Sequence, residues 1–252
     1  MKLFRETPGP YYGDTFYQPI GKWSAGHFEE ASLLNISNIW ICLDPKKVVA
    51  DIDFVQELHW VKKIIIQGIR LTNIAALEAI KDLEFLSIQA LVDGSLNLRA
   101  FGKLKHFSAK HWPQLAGLDS LEGIEDLRLS SFLQEDLKCL GKSSGLRTLL
   151  LSEAKQLSSL DGVDQYPNLQ ELIIKSAPRL TDLSALAQLS NLKSVQLNGC
   201  KRLSSLDALA TVQGLENITL IDMGTIRSLN PIKRMESLRF LSFFWGTRIE
   251  DR

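Results

Sequence analysis

The chain has 252 residues, 45% of them hydrophobic and 23% charged, with 29 Lys and Arg against 29 Asp and Glu. That composition supports a large core, and a net charge of zero argues against a dedicated polyanion binder, so no nucleic-acid partner is expected. No apolar run reaches the roughly 18 residues that cross a bilayer, and no membrane partner is expected either.

The N-terminus, Met1-Lys-Leu-Phe-Arg-Glu-Thr-Pro, lacks the apolar centre of a secretory signal. Cys42, Cys139 and Cys200 are odd in number, far apart and without a C-x-x-C, which fits a reducing compartment. The expected location is therefore the cytoplasm.

Residues 1–35 do not repeat. They place Tyr11, Tyr12, Phe16, Tyr17 and Trp23 among Pro8, Pro10, Pro19 and several glycines, a density that predicts turns rather than a long helix. The segment reads as a cap over the first repeating coil, or as an aromatic lip that meets a partner.

From residue 36 onward one line recurs: apolar, two variable, apolar, one variable, apolar. It starts as Ile36-Ser-Asn-Ile39-Trp-Ile41, then Val61-Lys-Lys-Ile64-Ile-Ile66, Leu83-Glu-Phe-Leu86-Ser-Ile88, Leu104-Lys-His-Phe107-Ser-Ala109 and Ile124-Glu-Asp-Leu127-Arg-Leu129. It continues at Leu146, and then at Leu169, Leu192, Leu215 and Leu238, each of these four 23 residues after the one before. Position 9 of these later copies is Ala154, Ala177, Cys200, Met223 and Gly246, and apolar residues follow at positions 12, 15 and 18. Ten strands are expected. Residues 48–58, 73–82 and 182–189 read as short helices, the last with Asp182 as its N-cap.

A fixed period in the low twenties with this leucine pattern is a leucine-rich repeat signature. The chain resembles bacterial leucine-rich repeat proteins, most closely the internalin type with short convex turns. The family's usual residue at position 9 is Asn, or Cys in one subclass; only Cys200 matches, so a continuous Asn ladder is not expected. The resemblance implies an α/β solenoid, a curved right-handed superhelix with a parallel sheet on its concave face and short helices or turns on its convex face. Residues 36–252 would form that domain and residues 1–35 its cap. It also implies a non-enzymatic module that binds another protein on the concave face. An intracellular inhibitor, such as an immunity protein neutralising a cognate toxin, is one such role. The alternative is an adaptor that self-associates.

Strand alternation turns positions 4 and 6 one way and positions 3 and 5 the other. The expected partner-facing residues are Lys63, Phe85, His106, Asp126, Glu171 and Phe240 at position 3, with Trp40, Ile65, Arg128, Leu150 and Ile173 at position 5. Lys110, Lys175 and Phe244 follow at position 7 and Trp245 at position 8. Aromatic anchors in a polar surround suit a protein partner.

The final copy places Ile249 at position 12 and reaches Arg252 before position 15. Its strand edge and apolar side chains are expected to fold over the end, to meet a second copy in a homodimer, or to be covered by a partner or by more of a longer chain.

Catalytic chemistry finds little support. His106 and Asp126 share position 3 of adjacent coils, but Ser108 would lie roughly 6 to 7 Å from His106 by strand rise, too far for a nucleophile and its base. His106 and His111 lack a third metal ligand at tetrahedral spacing. Cys42 and Cys200 read as small packed residues, and no nucleotide-binding or zinc-protease motif occurs. No cofactor or metal is expected.

Overall fold

The computed structural model describes residues 3–9, 13–20, 23–43 and 49–251. Pro10, Tyr11, Tyr12 and Val48 lie outside them. The chain forms two compact units, Met1–Gly117 and Leu118–Arg252.

In the first unit, β1 (Phe4–Pro8) and β2 (Thr15–Pro19) form an antiparallel pair. Helix α1 (Ala25–Leu33) follows. The repeat strands are β3 (Asn38–Cys42), β5 (Lys63–Thr72), β6 (Phe85–Val92) and β8 (His106–Lys110), all parallel. Their register runs Ile39, Ile64, Leu86, Phe107 along one row, and all four are fully buried. Short β4 (Ala50–Asp51) pairs with the far end of β5, and β7 (Leu96–Asn97) pairs with β9 (Leu115–Ala116).

The second unit stacks β10 (Asp126–Ser130), β11 (Thr148–Ser152), β12 (Glu171–Lys175), β13 (Ser194–Asn198), β14 (Asn217–Ile221) and β16 (Phe240–Phe244), again parallel. A second ribbon pairs β15 (Gly224–Ser228) with β17 (Thr247–Asp251). Single-turn helices α2 (Asp207–Ala210) and α3 (Asn230–Lys233) connect later coils. Leu149, Leu172 and Val195 lie side by side in register, each 0% exposed. One apolar line per coil cannot bury itself, so the neighbouring coil supplies the missing contact.

All ten repeat strands form, each two residues after the start of its sequence line. The offset has a backbone cause. The carbonyl of position 2 accepts from two amides of the next coil: Arg147 O takes Gln170 N and Glu171 N, and Gln170 O takes Lys193 N and Ser194 N, at 2.8 to 3.0 Å. Ladder pairing then begins at position 3. With β1, β2, β4, β7, β9, β15 and β17, the described residues hold seventeen strands, more than the ten expected.

The connecting segments are shorter and tighter than expected. Residues Asp53–Glu57, Ile74–Ala79 and Ser184–Gln188 form 3-10 helices, not α-helices. Buried Ile74, Leu77 and Ile80, like Leu183, Leu186 and Leu189, are three residues apart, which matches three residues per turn. Asp182 sits one residue before the cap position that Leu183 occupies, and its Oδ1 accepts from Ser184 N at 2.7 Å. Those bonds to Ser184 lower its pKa.

Each later coil leaves its strand through a left-handed residue at position 8: Ser131, Glu153, Ser176, Gly199, Asp222 and Trp245, with φ between 45° and 68°. This turn drives position 9 into the core, where Ala154, Ala177, Cys200 and Met223 are all 0% exposed.

Candidate functional site

The outward rows differ between the units. In the first, row three runs Asn38, Lys63, Phe85, His106 and row five runs Trp40, Ile65, Ser87, Ser108. Ile65 is 0% exposed, Phe85 4% and His106 4%, so these three residues, expected to face a partner, are covered. Phe16 packs against Ile65 and Phe85 with Trp40 alongside, its ring 5.8 Å from that of Phe85. Lys63 Nζ reaches Asp14 Oδ2 at 2.7 Å, and Asn38 Nδ2 donates to Thr15 O at 3.1 Å. Residues 13–16 thus lie across the rows, and apolar side chains that would otherwise meet water become core. The imidazole of His106 stacks on Phe85 at 4.1 Å with planes 5° apart. Of the expected residues in this unit, Trp40 and Lys63 remain half-buried and Lys110 exposed.

In the second unit, Asp126 is buried and held by Arg128 of the same strand, whose Nε and a terminal nitrogen reach its two oxygens at 2.8 and 2.9 Å. The guanidinium therefore serves its own strand before it serves a partner. Farther along, Leu150 is half-buried and Ile173 nearly covered, with Glu171 and Lys175 on either side of Ile173 in β12. Asn198, Gln196, Asn217 and Thr219 continue the face with uncharged polar groups, all half-buried. The last coil is the most open: Phe240 is 54% exposed, Phe244 42% and Trp245 78%. Phe243 is 43% exposed although its counterparts Leu151, Ile174, Leu197 and Leu220 are fully buried. Trp245 also carries φ of 45°, an outlier for a bulky side chain.

Within each unit, charges at position 2 of neighbouring coils alternate in sign. Lys62 meets Glu84 at 3.5 Å, and Glu216 sits between Lys193 at 3.2 Å and Arg239 at 3.8 Å. These exposed pairs contribute little stability individually.

The cysteines are held as thiols. Burial pushes Cys200 up to about 12, and burial with nearby Asp136 pushes Cys139 to about 11. Cys42 is exposed and accepts from Gln18 Nε2 at 3.3 Å. Among the described residues, no three His, Cys, Asp or Glu side chains are grouped to hold a metal, and no helix is long and apolar enough to cross a membrane.

Short parallel strands, one per coil, with single 3-10 or α-helical turns between many of them, define a leucine-rich repeat solenoid. The fold is that of the internalins: the chain superposes on the crystal structure of an internalin from Listeria monocytogenes with a TM-score of 0.59, covering 87% of this chain and 70% of that one at 19% identity. No protein-family model and no curated protein matches the sequence.

The sequence did not announce the cover at residues 13–16. Asp14 and Phe16 are two residues apart, so one strand face presents both, but nothing in the repeat period points to where they land. Trp245 was legible as a displayed aromatic; its left-handed backbone was not.

Proposed function

We propose that this chain is a non-enzymatic protein-binding module whose partner docks on the outward rows of the repeat strands, mainly in the second unit. The observation that carries the reading is the composition of that face. Half-buried Leu150 lies in register beside Ile173, which Glu171 and Lys175 flank in β12, next to a field of Asn, Gln and Thr. This is the anatomy of a non-obligate interface, with a small apolar centre and a polar surround. The likeness to internalins supports the scaffold. A role as a cytoplasmic inhibitor that covers a toxin's active site is the specific form we favour.

The test is affinity capture with the tagged chain, comparing Leu150→Glu and Lys175→Glu with the control Lys233→Glu on α3. A partner lost with the first two and kept with the third supports the reading. Equal capture by all three variants sinks it.

A second reading, self-association through the last coil, is favoured by the exposure of Phe240, Phe243, Phe244 and Trp245 beside the edge strand β16. Such edges pair readily with another chain. Sedimentation that finds only monomer at high micromolar concentration excludes it, and Trp245→Ser should weaken any dimer that forms.

A further inference from the structure

Segment 13–16 has the features of a bound ligand more than of a permanent wall. It touches the strand rows at three points: the Asp14–Lys63 ion pair, the Thr15–Asn38 hydrogen bond and the Phe16 ring. The ion pair is about a quarter exposed on each side, 28% and 27%. Strand β2 is paired with β1 through five couples, Thr7 with Phe16 among them. It joins β3 through a single couple, Tyr17 with Ile39, whereas β3 and β5 share five, so β1 and β2 would lift from β3 as a hairpin. The approach to β2 turns through Gly13, at φ of 68° with open space where a β-carbon would stand.

The fit is also chemically incomplete. In row five, Trp40 Nε1 and Ser87 Oγ are buried without a hydrogen-bond partner among the described residues. Buried polar groups in a settled core are almost always paired, and leaving them unpaired carries a real cost. A ligand that offered an acceptor to the indole and a partner to the hydroxyl would fit this trough better than the chain's own segment does.

We infer that the trough formed by Trp40, Lys63, Ile65, Phe85 and Ser87 is a peptide-binding site for an extended segment with an acidic residue two positions before an aromatic one, and that Asp14-Thr15-Phe16 fills it in cis. The inference rests on the protein-binding reading above and names the partner's chemistry at one part of that surface. Lys63 selects the acidic side chain. Ile65 and Phe85 hold the aromatic ring. The period-2 alternation of an extended strand puts both side chains on the same face of the ligand. Trp40 and Ser87 add hydrogen bonds that the cis segment does not make, so a matched partner displaces it.

The probe is the capped pentapeptide Gly-Asp-Thr-Phe-Tyr, the chain's own residues 13–17. Calorimetric titration into the Phe16→Ala chain, whose trough is vacated, should show saturable binding. Changing the peptide's Phe to Ala or its Asp to Asn should weaken it about tenfold or more, and adding Lys63→Glu to the chain should abolish it. The unsubstituted chain should bind more weakly because the cis segment competes. Its Thr15 and Tyr17 amides should exchange with solvent faster than those of Ile64 and Ile66 in β5, through local opening. A Phe16→Ala chain that melts cooperatively yet ignores the peptide overturns the inference. Exchange at Thr15 and Tyr17 as slow as in β5 also overturns it, because the segment is then a permanent cap. Should Phe16→Ala not fold, Asp14→Asn with Phe16→Leu weakens the same anchor and is read the same way. The peptide stands in for the natural partner. Peptide binding that persists while the Leu150 and Lys175 variants leave capture intact therefore sinks the module reading alone.

Discussion

The ring of Phe85 lies flat on the imidazole of His106, centroids 4.1 Å apart and planes within 5° of parallel. Both residues occupy row three, which a repeat pattern assigns to solvent, yet each is only 4% exposed. Phe85 is a core residue in a surface row. Phe85→Ala should therefore cost about 3 kcal/mol or more, read as a drop in the midpoint of chemical unfolding. A displayed aromatic would cost almost nothing, so an unchanged midpoint would show that the cover does not form in solution.

Asp126 and Arg128 make a second such case. Removing the guanidinium leaves a carboxylate buried without its fork of donors. Arg128→Ala should destabilise by about 3 kcal/mol, and Asp126→Asn with Arg128→Ala together should cost less than the two single changes summed. Strict additivity in a double-mutant cycle would mean that the pair is not coupled.

The left-handed residue at position 8 offers a test of the coil geometry. Ser176 adopts φ of 54° and Gly199, one coil on, φ of 68°. A side chain in this region costs roughly 1 to 2 kcal/mol, offset in part by the greater unfolded freedom of glycine. Ser176→Gly should stabilise by about 0.5 kcal/mol. Gly199→Ala should destabilise by about 1 kcal/mol, because its new methyl would also stand 3.4 Å from the Ser176 α-carbon.

Alkaline pH should reveal Cys200. Its thiol is pushed up to about 12 by burial, while an unfolded cysteine titrates near 8.5. Between those values the unfolded chain has lost the proton that the folded chain keeps. Stability is thus full below about pH 8.5 and falls as pH rises toward 12, by at most about 1.4 kcal/mol per unit from this group. Cys139, raised to about 11, and Tyr166, raised by burial, act in the same direction. Cys200→Ala should flatten part of the slope, and a thiol reagent at pH 8 should label exposed Cys42 well before Cys200.

What the sequence made legible was whatever repeats. The 23-residue period alone places Leu149, Leu172 and Val195 beside one another, because it carries each to the same point of its coil. Residues 73–82 read as a short helix without its type, although the spacing carries the 3-10 form: Ile74, Leu77 and Ile80 step by three, where an α-helix would mix threes and fours. The cover over Ile65 and Phe85 was not readable. Ile65 is packed under Phe16, which lies some fifty residues before it in the chain. A period describes neighbours along the stack and says nothing of a non-repeating segment that folds back across it. Asp126 was hidden for a related reason: its partner lies two residues away on its own strand, where a pattern-based view sees only two outward charges.

The doubly accepting carbonyl at position 2 has an evolutionary corollary. Because successive coils of the second unit offer one another the same main-chain acceptor, as at Glu125, Arg147, Gln170, Lys193 and Glu216, those joints are interchangeable. Excising residues 169–191 would present the Arg147 oxygen to the Lys193 and Ser194 amides in the geometry it now offers Gln170 and Glu171. Such a scaffold gains or sheds length in whole modules while its ends, and whatever they hold, stay intact.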